Sequence, residues 1–332
     1  MISRPLIVIP ADFPPLVSQS SHLQTLREFA DVVLHLDRPQ DDDEKVLRLR
    51  DADILLNSRG SLKIPRSVLQ RLPQLKMVAV CGIGFDAVDL RTATEQCIVV
   101  SNIPGRTASV VAEHALGLMF AVSRRMALMT SELKAGRWRG DLGVSLQGCQ
   151  AGIIGTGNIG CEMIRLCKAL GLRVVAWSLN PDSEKSARLG FRYVSKDELL
   201  QTSDVISLHT RLSEQTRKLI GFRELAMMKN SAILINTSRG AVVDTDALVD
   251  ALQRDAIFGA GLDVFDQEPL PPDHPILTCD QIVLTPHSAD QTQEGIDQLL
   301  LGCIDNIRAF LAGTPVNVVN PEVLVTQRPI TA

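Results

Sequence analysis

One run in the 332-residue sequence has the spacing that suits the phosphates of a nucleotide: Gly152-Ile-Ile-Gly155-Thr-Gly157-Asn-Ile-Gly160. An apolar stretch enters it, and Ile159, Met163, Ile164, Leu166 and Leu170 leave it at helical spacing. In a strand–turn–helix, Gly155 permits the tight turn, Gly157 the close approach of a pyrophosphate, and Gly160 close packing of helix on strand. The helix start adds unpaired N–H donors and partial positive charge, so Asn158 and Ile159 join the three glycines as candidates for binding a dinucleotide. The next strand should end in an acid that holds the ribose 2′-hydroxyl. Here Ser178 stands in that place and Asp182 comes four residues later. A cofactor with a 2′-phosphate therefore meets no repulsion, and the choice between NAD(H) and NADP(H) stays open.

Three further segments place reactive side chains after apolar strands. The first, Ile235-Asn-Thr237-Ser-Arg239-Gly240, ends in a guanidinium that can hold a carboxylate by two parallel hydrogen bonds. The second runs from Asp263 through Glu268 to Pro269, and the third contains Pro286-His287. A histidine beside a carboxylate is a general acid/base whose charged form is favoured. Each segment alone is commonplace, and their combination points to chemistry on a carboxylate-bearing substrate.

These residues need a scaffold that brings strand ends together. Strands are predicted at 6–9, 32–36, 54–57, 77–80 and 98–101, with amphipathic helices near 20–30, 43–50, 65–71 and 87–96. A second series follows at 152–154, 173–177, 205–208, 232–236, 258–263 and 282–285. Long helices are expected at 108–133 and 291–311. Alternation of this kind predicts α/β architecture, with helices on both faces of parallel sheets. Pro10, Pro14, Pro15 and Pro65 fall at element ends, where a missing N–H costs little. The acidic run Asp41–Glu44 reads as a helix start favoured by the dipole. Two segments, Asn102-Ile-Pro-Gly105 and 286–290, join the halves. The expected organisation is a substrate domain of 1–101 with 290–332, into which a dinucleotide-binding domain of 102–289 is inserted. Ligands of such sheets sit beyond the carboxyl ends of the strands, which places the expected site in the cleft between the domains.

Composition narrows the partners. A length of 332 residues favours two domains, and 45% hydrophobic with 22% charged residues is ordinary for sizeable cores. The net charge of −4 and only 4% aromatics give no reason to expect nucleic acid. No apolar run approaches a membrane span, and no signal peptide is recognisable. Seven scattered cysteines form no metal-binding pattern and read as reduced thiols of a cytoplasmic protein.

The sequence resembles the D-isomer-specific 2-hydroxyacid dehydrogenases over nearly its whole length. The resemblance rests on Gly82-Ile83-Gly84-Phe85-Asp86, Val111-Ala-Glu-His114, the glycine turn, Asp204-Val-Ile-Ser-Leu-His209, Asn236-Thr-Ser-Arg-Gly240, Asp263 through Pro269, and Pro286-His287. It implies two doubly wound parallel-sheet domains, a Rossmann cofactor domain inserted into a flavodoxin-like substrate domain. It also implies that His287 exchanges a proton with the substrate oxygen, that Glu268 orients its imidazole, and that Arg239 holds the carboxylate. Backbone N–H groups of Ile83 and Gly84 would complete the carboxylate site, and Asp263 would contact the nicotinamide carboxamide. His209 and Thr237 fall at matching cofactor-binding positions. Arg211 replaces the family's frequent proline and could reach a 2′-phosphate. Arg59 is a candidate for the substrate's far end and Ile83 and Phe85 for an apolar wall; Trp138 reads as a half-buried anchor, with a subunit interface or a neighbouring pocket as the alternatives. The family implies a homodimer, with which the apolar helix at 112–122 is consistent. A dinucleotide-sensing regulator on the same fold is the alternative reading. A formate enzyme would pair its histidine with glutamine, against which Glu268 stands.

Overall fold

The computed structural model describes residues 4–13, 15–60 and 62–326, so Pro14 lies outside the described residues. The chain forms two compact units, one built from residues up to Thr107 and from Gln291 onward, the other from Ala108–Asp290. Residues 102–107, expected in the inserted part, fold with the first unit because Asn102 and Ile103 hydrogen-bond its loop at Gly82 and Ile83.

The first unit contains β1 (Leu6–Ile9), β2 (Asp31–Leu34), β3 (Ile54–Ser58), β4 (Met77–Cys81) and β5 (Val99–Ser101). They form one parallel sheet in the order β2-β1-β3-β4-β5, the flavodoxin-like order. Strand side chains alternate between faces. Ile7, Ile9, Ile54, Leu56, Met77 and Ala79 enter one core, while Val8, Leu55, Val78 and Val80 enter the other. The first core is closed by the helix Gln293–Leu311, whose buried Ile296, Leu299, Leu300, Cys303, Ile304 and Ile307 recur at helical spacing. The acidic run does start a helix, Asp42–Leu49, and the Asp41 carboxylate caps it by accepting from the Glu44 N–H at 2.9 Å. Past that last long helix the chain returns along β5. Val319 N–H donates to Val100 O at 2.9 Å, and the Asn320 amide accepts from Val100 N–H and donates to Ile98 O, each at 2.9 Å.

The second unit contains β6 (Gln150–Ile154), β7 (Arg173–Trp177), β8 (Arg192–Tyr193), β9 (Val205–Leu208), β10 (Ile233–Asn236), β11 (Gly259–Leu262) and β12 (Ile282–Leu284). All are parallel, in the order β12-β11-β10-β9-β6-β7-β8. Again the faces alternate, with Ile233 and Ile235 in one core and Leu234 in the other.

One helix expectation is corrected. The helix foreseen over 108–133 is two helices, Ala108–Ser123 and Met126–Lys134. Ser123 O accepts from Val144 N–H at 2.7 Å, and Arg125 adopts the left-handed region (φ 48°) with its guanidinium 4.3 Å from the Phe258 ring centre. Partners far along the chain thus break a helix that local sequence would continue. Within the first of these helices Ala115, Leu118, Met119 and Val122 pack into the core of the second unit.

Candidate active site

The glycine turn joins β6 to the helix Asn158–Ala169. Gly155 has φ +94°, and a Cβ there would lie 2.7 Å from the His209 carbonyl group. A Cβ on Gly160 would lie 2.0 Å from Gly155 O, so the helix rests directly on the turn. Around Gly157 nothing lies within 4 Å of such a Cβ, which leaves open space beside the helix start where Asn158 and Ile159 sit.

Two buried polar atoms near the ends of the adjoining strands have no hydrogen-bond partner among the described residues: His209 Nδ1 after β9 and Thr237 Oγ1 after β10. The other ring nitrogen, His209 Nε2, pairs with Ser207 Oγ at 2.8 Å. Burial pushes the His209 imidazole down to about 4, so it is neutral at pH 7. Leaving such atoms unsatisfied is costly, and a polar ligand relieves that cost. The turn, the open space and these two atoms fit a bound dinucleotide.

Arg239 and Glu268 stand on neighbouring loops. Gly240 makes this possible, since a Cβ there would lie 2.0 Å from the Phe265 carbonyl carbon. Arg239 is half-buried, and one of its guanidinium nitrogens donates to Ser238 O at 2.7 Å. The Asn236 amide braces the loop, accepting from Ser238 N–H at 3.0 Å and donating to Arg239 O at 2.9 Å. Glu268 Oε2 pairs with His287 Nδ1 at 2.7 Å, while Oε1 accepts from Phe265 N–H at 3.0 Å. Burial works to raise the Glu268 carboxyl, but the hydrogen bond and charge of His287, the Phe265 N–H and the charge of Arg239 outweigh it. The carboxyl is held below its usual range and is ionised at neutral pH.

His287 itself sits at φ 52°, a strained backbone for a residue with a side chain. Asp263 holds it there. Only 1% exposed, Asp263 accepts through Oδ1 from Thr285 Oγ1 at 2.6 Å and from Ser288 N–H at 2.8 Å, and through Oδ2 from Ala289 N–H at 3.0 Å. His114 Nε2 joins Thr285 Oγ1 at 2.9 Å. Asp263 is thus turned inward and fixes the loop that carries His287.

The remaining candidates divide by unit. In the first, Arg59 (φ 55°) and Gly60 follow β3 beside the Gly82–Gly84 loop after β4, and Phe85 is half-buried against the core. In the second, Ser178 borders an open cavity of about 450 Å³ with Tyr193 and Arg192, and Arg211 is exposed after β9. The sequence reading missed Lys185, whose ammonium reaches back to the Thr156 carbonyl of the glycine turn at 3.1 Å, and Tyr193, whose hydroxyl meets Thr156 Oγ1 at 2.7 Å. Lys185 lies on a short helix and Tyr193 on a two-residue strand, and neither local pattern marks them. Trp138 is no half-buried anchor but is 94% exposed. Among the described residues no group of histidine, cysteine and carboxylate side chains could hold a metal ion, and no helix is long and apolar enough to cross a membrane.

A parallel sheet with a glycine turn after an interior strand, and with polar groups gathered at strand ends, defines a dinucleotide-binding α/β unit. Residues 116–289 match the family described as D-isomer specific 2-hydroxyacid dehydrogenase, NAD binding domain. The glyoxylate reductase of Aeropyrum pernix is 38% identical over 292 residues, covering 85% of this chain and 87% of that one. The glyoxylate/hydroxypyruvate reductase B of Yersinia pestis is 36% identical over 295 residues, covering 87% and 90%. Among solved structures, an acyclic imino acid reductase in complex with NADPH and D-Arg superposes with a TM-score of 0.85 at 28% identity, covering 95% of this chain and 99% of that one. The chain belongs to the D-isomer specific 2-hydroxyacid dehydrogenase family and is an NAD(P)-dependent oxidoreductase.

Proposed function

We propose that the chain reduces small 2-keto acids, glyoxylate and hydroxypyruvate first among them, to D-2-hydroxy acids with NADH or NADPH. The observation that carries this reading is the 2.7 Å pair between His287 Nδ1 and an ionised Glu268, on the loop beside Arg239. Gly155, Gly157, Asn158, Ile159, Gly160, Ser178, His209, Arg211 and Thr237 would hold the dinucleotide. When bound, its reduced nicotinamide supplies hydride to the keto carbon. His287, with Nδ1 engaged by Glu268, presents Nε2 to give a proton to the keto oxygen and to take it back in oxidation. Glu268 fixes the ring orientation and favours the charged imidazole. Arg239 grips the substrate carboxylate, as do the N–H groups of Ile83 and Gly84, and Arg59 reads the far end of the substrate. The reductase names of the relatives support this reading and give none to a dinucleotide-sensing regulator.

A homodimer is part of the proposal. The helix Met126–Lys134 buries no residue in its own chain, and the segment after it exposes Trp138 at 94% and Leu142 at 89%. A second copy is the occupant that would cover them. None of the seven cysteines forms a disulfide, which supports a cytoplasmic location.

The test is oxidation of NADH and NADPH against a panel of 2-keto acids. His287→Gln is expected to lower kcat by about 10²–10⁴ with cofactor affinity unchanged. A wild-type protein that binds cofactor but turns over no keto acid would overturn the proposal.

A further inference from the structure

We infer that Asn102 is a positioning residue for the substrate carboxylate, an inference that rests on the role proposed above for the Ile83 and Gly84 N–H groups. The carbonyl of one residue and the N–H of the next share a rigid trans plane and point in opposite directions. The Ile83 N–H is therefore tied to the Gly82 carbonyl, and the Gly84 N–H to the Ile83 carbonyl. Both carbonyls are occupied. Gly82 O accepts from Ile103 N–H at 3.0 Å, and Ile83 O accepts from the Asn102 side-chain amide at 2.7 Å. Neither plane can turn without breaking one of these bonds, so both donors are held facing the opposite side. A loop with glycine at two of its three positions would otherwise have wide conformational freedom. A hydrogen bond into a carbonyl also polarises its peptide and strengthens the N–H on the far side.

Asn102 is itself fixed. It is buried, its N–H donates to Asn317 O at 3.2 Å, and its carbonyl accepts from the Asn306 amide at 2.8 Å. Asn306, buried in the helix Gln293–Leu311, accepts in turn from the Asn317 amide at 2.8 Å. Gly60 also packs closely on the loop, since a Cβ there would lie 3.0 Å from Gly84 O. Asn102 touches the loop rather than the substrate. What it sets is the direction of two donors.

Two variants test this: Asn102→Ala, which removes the amide, and Asn102→Asp, which keeps the size but sets an acceptor against the Ile83 carbonyl. Steady-state reduction of glyoxylate and hydroxypyruvate should show the keto-acid KM raised about tenfold in the alanine variant and further in the aspartate variant. kcat should stay within about twofold and the NAD(P)H Kd, read by nucleotide fluorescence, should not move. Unchanged KM in both variants overturns the inference. So does an equal loss in KM, kcat and cofactor affinity, which is what general destabilisation produces. Should both variants fail to fold, Asn317→Ala loosens only the outer end of the network and is expected to raise the same KM about threefold, with no rise counting against the inference. Wild-type protein that reduces neither keto acid would instead overturn the functional reading, before Asn102 is altered.

Discussion

Acidification should expose His209 as a buried neutral imidazole. In the unfolded chain this group protonates near 6.5, whereas burial in the folded chain delays protonation to about 4. Between those values the unfolded state binds more protons, so stability rises with pH there. The contribution is fully present above the unfolded value and is lost as pH falls through the window toward about 4. At about 1.4 kcal/mol per unit the whole gap is about 3 kcal/mol, of which about 2 kcal/mol is lost by pH 5. His209→Gln keeps a polar partner for Ser207 but cannot titrate. Both tryptophans lie in the second unit, and Trp177 is packed against its core, so fluorescence during urea unfolding reports the unit that contains His209. From pH 7 to pH 5 the wild type should lose about 2 kcal/mol more than the variant, or about 1 M in urea midpoint at a slope of about 2 kcal/mol/M. Identical losses would refute the reasoning, because they would mean that His209 charges in the folded state as readily as in water.

Other expectations concern single contacts. Gly157→Ala should leave the Tm of the ligand-free protein unchanged and weaken dinucleotide binding at least about tenfold. Gly160→Ala, whose Cβ would sit 2.0 Å from Gly155 O, should lower the Tm as well; calorimetry with titration of NADH separates the two. Glu268→Gln keeps the shape but removes the charge facing His287. It should reduce kcat by about 10–100-fold with the NADH Kd unchanged, and an unaltered kcat would dismiss the pair as unimportant. Replacing Trp138 and Leu142 together by serine should shift sedimentation from dimer toward monomer, and an unaltered profile would remove this segment from the interface.

Much of this architecture is legible in the chain because parallel strands buried on both faces read as nearly continuous apolar runs, as at Met77–Cys81 and in the first three residues of Ile233–Asn236. The strand Arg192–Tyr193 is too short, and too polar at its first residue, to give such a signal. The break before Met126 is invisible for another reason. It is made by Val144 and Phe258, which no local pattern connects to Ser123 and Arg125. Arg239, Glu268 and His287 were recognisable as side chains at strand ends. Asp263 was recognisable too, but its inward task depends on where the backbone of Ser288 and Ala289 turns. Asn102 gave no signal at all, since an asparagine before a proline turn has many uses and the one here is defined by the Ile83 carbonyl.

The return of the chain along β5 has a consequence for solubility. β5 is the outermost strand on its side of the five-stranded sheet, and such a strand offers its backbone to any other extended chain. Here Val319 and the Asn320 amide occupy those groups, the side chain standing in for the backbone of a missing neighbour. The same short segment supplies Asn317 to the network behind Gly82–Gly84. Loss of this segment would therefore uncover a template for sheet-to-sheet association while it loosened the loop, so poor activity and aggregation should arise together.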